Sequence, residues 1–275
     1  MTAIAYPLAP EAVVSPLAEL RRRHPALASA GFAFVMLAAI SASLSLVDGR
    51  LIDGVSVWAK PAKFFLSSGV LMLSSAWFFG YVRPERRNAR PLRLSANLLI
   101  GFGVFELAYI TFQAAQGARS HFNVADVPHY ALYAMMGLAA LGMLATKLVL
   151  AREIASRPAE NLSPELRVAV VLGLVLTAIL GSLSGLSLSA NQSHNVGAVG
   201  GAAPIFGWNR LGGDLRVAHF FGMHAEQAIP LATAAAAAVF GAAWGRRVAL
   251  ALAVLIVAAT LAVFVQALLG RPFAV

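Results

Sequence analysis

Seven blocks of apolar residues, near 26–47, 61–82, 95–116, 128–150, 166–188, 216–240 and 247–269, run through the chain, each set off from the next by a short charged or glycine-rich joint. An α-helix rises 1.5 Å per residue, so about 20 apolar residues cover the ~30 Å of hydrocarbon in a bilayer. Inside lipid the backbone has to satisfy its own hydrogen bonds, which leaves helices or closed barrels, and these blocks are far longer than a barrel strand. The expected fold class is an all-α integral membrane protein, a bundle of about seven transmembrane helices.

Charge supports this reading by its scarcity. Only 12% of residues are charged while 59% are hydrophobic, whereas a soluble domain carries about 25% charged residues. A net charge of +9 would suit nucleic acid, but Lys and Arg sit almost wholly in the joints, where they act as topology determinants facing anionic headgroups. No nucleic-acid partner is expected; the partner is the lipid bilayer.

If the blocks alternate in direction, fourteen of the 21 basic residues fall on the N-terminal side, Arg21–Arg23, Arg83, Arg86, Arg87 and Lys147 among them. The positive-inside bias then puts the N-terminus in the cytoplasm and the C-terminus outside. Residues 1–25 read as a cytoplasmic N-terminal segment whose Arg21–Arg23 directly precede the first apolar block, an uncleaved signal anchor, and 26–270 as a single transmembrane helical domain. The expected location is the plasma membrane, the cell inner membrane if the source is bacterial, with multiple passes. A Gly-rich loop at 189–215, expected to be extracytoplasmic, is too long for a plain connector and reads as a lid folded back over the bundle.

Several chemistries are excluded at once. The chain has no cysteine, so disulfides, thiolate metal sites and iron–sulfur clusters are out. The last apolar block has no lysine to form a retinal Schiff base, and there is no P-loop, G-x-S-x-G or H-E-x-x-H motif.

Ionisable groups within a span are costly and usually face a protein interior or a water-filled cavity. Glu106 and Glu226 qualify, each about 15 Å below the outer boundary by helical rise. Glu106, Tyr109, Gln113 and Gln116 recur at helical spacing and form one polar stripe. The segment from Arg216 to Gln227 places His219, His224, Glu226 and Gln227 within a few turns. His219 and His224 diverge by about 140° on a regular helix, so shared metal ligation would need a distortion near Gly222.

Five histidines, His121, His129, His194, His219 and His224, gather toward the outer side and are the candidate metal or haem ligands. Glu226, Glu106 and Tyr109 are the candidate catalytic groups, and Gln113, Gln227, Lys63, Arg119 and Asn123 the candidate substrate-binding ones. The favoured expectation is a metal- or haem-dependent membrane enzyme, an oxidoreductase or hydrolase, whose outward-facing pocket takes a lipophilic substrate. The alternatives are a proton-coupled transporter using Glu106 and Glu226, and a non-catalytic membrane sensor or subunit.

Overall fold

A computed structural model of the chain describes residues 15–203 and 206–273. The regular structure among the described residues is helical apart from two short strand pairs, Leu51–Ile52 with Val55–Ser56 and Asn195–Val196 with Gly213–Asp214. A short surface helix, α1 (Pro16–Arg23), precedes α2 (Pro25–Val47), α3 (Ala59–Phe79), α4 (Arg90–Ala115), α5 (Val127–Ser156) and α6 (Pro164–Ala190). After a long loop come α7 (Leu215–Met223), α8 (Ala225–Phe240) and α9 (Ala242–Leu268).

Six of these, α2 to α6 and α9, are long and apolar enough to cross a membrane. The chain is a polytopic helical protein of the membrane type, and its surface agrees: Leu46 is 87% exposed, and Leu138 and Val254 are each 70% exposed. Large apolar side chains spread over whole helices in this way need lipid to cover them. The sixth apolar block, expected as one helix over 216–240, is instead broken at His224 into helices of 9 and 16 residues.

Joints are short, so successive helices pack antiparallel. Contacts between loops at the two ends bear this out. At one end Val82 bridges Pro158, and Arg86 bonds Glu153 at 2.8 Å. At the other Arg50 donates to the carbonyl of Ala115 at 2.9 Å, and Arg119 pairs with Asp53.

Glycine lets the backbones meet where the packing is closest. A Cβ on Gly173 of α6 would stand 2.9 Å from the Cα of Glu226, and one on Gly222 would stand 2.8 Å from the Cβ of Leu180. These contacts draw α6 against both halves of the broken helix. The apolar core runs through α2 to α6, with Leu27, Met72, Ile154, Val170 and Leu174 fully buried, and a second cluster joins α6, α8 and α9 through Ala169, Ile229 and Ala249.

The loop between α6 and α7 folds onto the ends of α7 and α9. Asp214 is 1% exposed, pairs with Arg216 and accepts the Asn209 backbone N–H at 2.9 Å. Trp208 stacks on Phe206 and packs edge-on against Phe220 and Phe273. From α3, Lys63 reaches the loop and donates to the carbonyl of Phe206 at 3.3 Å.

A candidate buried charge site at the broken helix

The break at His224 has a local cause and a brace. His224 sits at φ −93°, ψ 6°, off the helical values, and its carbonyl accepts from Gln227 and Ala228 to start α8. Pro230 lies inside α8 and has no N–H to give the carbonyl of Glu226 four residues earlier. Across the gap Thr177, midway along α6, staples the two ends: its hydroxyl donates to the Met223 carbonyl at 3.4 Å and accepts the Glu226 N–H at 3.0 Å.

The side chain beyond this brace is Glu226, 0% exposed, and it meets Lys147 of α5, 1% exposed, at 3.0 Å. Lys147 Nζ also donates to Ser75 Oγ of α3 at 2.7 Å, and Ser75 in turn donates to the Leu71 carbonyl. Gln227 Nε2 donates to Ser74 Oγ and to Glu226 Oε1, each at 3.2 Å. Four helices therefore converge on one ion pair: α3 with its serines, α5 with the ammonium, α6 with Thr177, and α8 with the carboxylate.

Satisfaction is incomplete. Among the described residues Glu226 Oε2 and Gln227 Oε1 have no hydrogen-bond partner. Beside the ammonium, a void of about 10 Å³ bordered by Ser75, Ser95, Thr146 and Lys147 is of the order needed for a single water molecule. A buried carboxylate oxygen with no partner has lost its water without a hydrogen bond in exchange, which is costly.

Lys147 is a correction to the sequence reading, which counted it among the topology determinants at a membrane surface. In the structure α5 continues nine residues past it to Ser156, and the side chain is inside the bundle. A second correction concerns the shared pocket. Glu106 and Glu226 do not meet: α4 packs chiefly on α5 and α3, whereas α7 and α8 pack on α6 and α9.

Glu106 belongs to a separate cluster nearer the α3 start. The predicted stripe is buried as expected at Glu106, Tyr109 and Gln113, 7%, 8% and 2% exposed, but Gln116, past the helix end, is exposed. Gln113 Nε2 donates to Tyr109 Oη at 2.9 Å and to the Arg119 carbonyl at 3.3 Å. Asn123 donates to the same carbonyl at 2.9 Å. Glu106 and Lys60 are close enough for each to feel the other's charge. His121 lies among Phe64, Phe122 and Tyr133, and burial, then the Lys60 cation, hold its ring well below the usual imidazole pKa.

The remaining histidines each keep local company. His219 Nδ1 is 3.0 Å from Ser184 Oγ, and the His224 ring lies 4.4 Å from Phe220. His129 bonds Asp126, which caps α5. His194 gives its carbonyl to the Leu215 N–H, and its ring, half-buried, is pulled below the usual pKa by burial and then by Arg216. Among the described residues no group of three or more His, Asp or Glu is arranged to hold a metal ion. Lys147, Ser74, Ser75 and Thr177 were missed as site residues, and only Lys147 carries a sequence signal: four apolar residues, Leu148 to Ala151, follow it before the first arginine of the joint.

No protein-family model, no curated protein and no solved structure matches the chain.

Proposed function

We propose that the chain is a proton-coupled membrane carrier whose proton-exchanging site is the Lys147–Glu226 pair. The observation that carries this reading is a fully buried carboxylate, salt-bridged on one oxygen and orphaned on the other, at the break between α7 and α8. Ionisable groups at such depth mark ion and proton pathways, and interrupted helices are where carriers build their sites. Protonating Glu226 weakens its hold on Lys147 and so uncouples α8 from α5, which gives the proton a mechanical consequence.

In this reading α7 and α8 together make a seventh crossing, the N-terminus is cytoplasmic, and the loop over α7 and α9 covers the outer face. Lys147 no longer counts toward the charge bias, yet Arg21–Arg23, Arg83, Arg86, Arg87 and Arg157 still cluster at one end. The metal- or haem-dependent enzyme draws less support, because its candidate ligands are engaged separately.

The test is proton flux into vesicles carrying the purified protein, driven by an imposed membrane potential and read by a trapped pH dye. Wild-type protein is expected to exceed empty vesicles, and Glu226→Gln to fall to the empty-vesicle rate. Flux that is absent in wild type, or unchanged in Glu226→Gln, refutes the proposal.

A further inference from the structure

At the end of the bundle that carries Arg83 and Arg157, α1, the turn after α3 and the joint between α5 and α6 enclose a cavity of about 460 Å³. Four guanidinium groups line it, those of Arg22, Arg23, Arg83 and Arg87. The first two share one acid, Arg22 and Arg23 each bonding Glu19 at 2.7 Å, so the three together keep one positive charge. Arg23 also lies 4.0 Å over the Trp77 ring.

The other two have only carbonyls. Arg83 Nε donates to the Pro158 carbonyl at 3.2 Å. Arg87 donates through Nε to Val82 at 3.2 Å and through Nη2 to Gly80 at 3.0 Å. A carbonyl fills a donor but cancels no charge. Burial, followed by the charges of Arg22 and Arg23, pulls the Arg87 pKa below its usual value. Glu85 and Glu160 also line the cavity, exposed like Arg83 and in no ion pair among the described residues, so the four arginines exceed the acids Glu19, Glu85 and Glu160 by one charge.

Arg83, exposed, and Arg87, half-buried, are held by backbone carbonyls, pair with no carboxylate among the described residues and line a cavity of ligand size. We propose that this cavity binds a phosphate-type anion, either the phosphodiester of a lipid headgroup that carries no balancing cation or free phosphate, with Arg83 and Arg87 as its main ligands. Both η nitrogens of Arg83 and Nη1 of Arg87 make no hydrogen bond among the described residues, and guanidinium N–H groups are the donors that phosphate oxygens accept. The cavity opens beside the end of α3 and the start of α6, at the level where headgroups would lie.

Native mass spectrometry of the delipidated protein with added phosphatidylglycerol or phosphatidylcholine tests the lipid source. Thermal melting in inorganic phosphate against chloride at equal ionic strength tests the soluble one. Preferential retention of phosphatidylglycerol assigns a lipid headgroup, and a melting shift in phosphate without that preference assigns free phosphate. In whichever arm responds, Arg83→Gln is expected to weaken binding by about fivefold, with Arg83→Lys in between as a variant that keeps the charge. Arg247→Gln, at the α9 start and outside the cavity, is expected to leave binding unchanged. Equal retention of both lipids with no phosphate effect overturns the proposal, as does wild-type binding by Arg83→Gln or an equal loss in Arg247→Gln.

Discussion

Lys147 and Glu226, on helices α5 and α8, hold each other at 3.0 Å with neither reaching the surface of the bundle. Removing one partner of such a pair strands a charge, whereas removing both leaves only a packing problem, so the order of stabilities is fixed by the pairing. Lys147→Met and Glu226→Leu are each expected to lose about 3–5 kcal/mol, and the double variant less than either single one. Thermal melting in a single detergent measures this, and a double variant worse than both singles contradicts it. Proton flux is expected to be lost in all three.

The two buried carboxylates sit in clusters with no shared partner. Their substitutions should therefore add. The melting losses of Glu106→Gln and Glu226→Gln are expected to sum in the double variant to within about 0.5 kcal/mol. A larger discrepancy would return both groups to one pocket.

Gly173 is the seat on which Glu226 rests. Because an added Cβ would meet the Glu226 Cα at 2.9 Å, and backbone gives way less easily than a side chain, Gly173→Ala is expected to destabilise by about 1–3 kcal/mol. It should also reduce flux, since α8 shifts away from α5. Gly137 of α5 has nothing within 4 Å of its added Cβ, and Gly137→Ala is the control expected to leave both measurements intact.

Acid should open the loop over α7 and α9. Burial on its own would raise the Asp214 pKa, but bonds from Arg216 and from the Asn209 and Arg216 amides hold it below the usual 3.8. A depressed folded pKa means that this contribution is complete above 3.8 and is lost as pH falls through the lower, folded value. Trp208, a residue of this loop packed on Val217 and Phe220, is expected to red-shift in fluorescence below about pH 4. Asp214→Asn should show the red-shifted spectrum already at neutral pH, and Trp208→Phe identifies the signal.

A chain without cysteine invites labelling. Asn161 and Asn123 are in joints at opposite ends of the bundle, so Asn161→Cys is expected to react with a membrane-impermeant maleimide only from the cytoplasmic side and Asn123→Cys only from outside. Reaction of both from one side removes the proposed topology.

The helices were legible because lipid imposes a length and a polarity on them, and the spacing of Glu106, Tyr109 and Gln113 was enough to predict which face is buried. Gln116 fell off that face because α4 stops at Ala115, and helix ends are set by local capping that periodicity does not see. Lys147 was misread for a different reason. A lysine near the end of a hydrophobic block looks the same whether it snorkels to a headgroup or turns inward, and its partner, Glu226, is 79 residues away. The joining of α5 to α8 is a tertiary fact, as are the separate engagements of the histidines, and one sequence holds no record of which helices touch.

The ladder of hydrogen bonds in α8 is one rung short at Pro230, and the vacant rung belongs to Glu226 itself. A helix bends most cheaply where there is no bond to stretch, so the segment from Ala225 to Phe240 has its hinge built in directly beneath the carboxylate. In the proposed carrier, release of Lys147 would act on a segment that is already jointed. Because only Gly241, at φ 91°, separates that segment from α9, in the proposed carrier a movement of α8 would pass to the last helix and through it to the loop it supports.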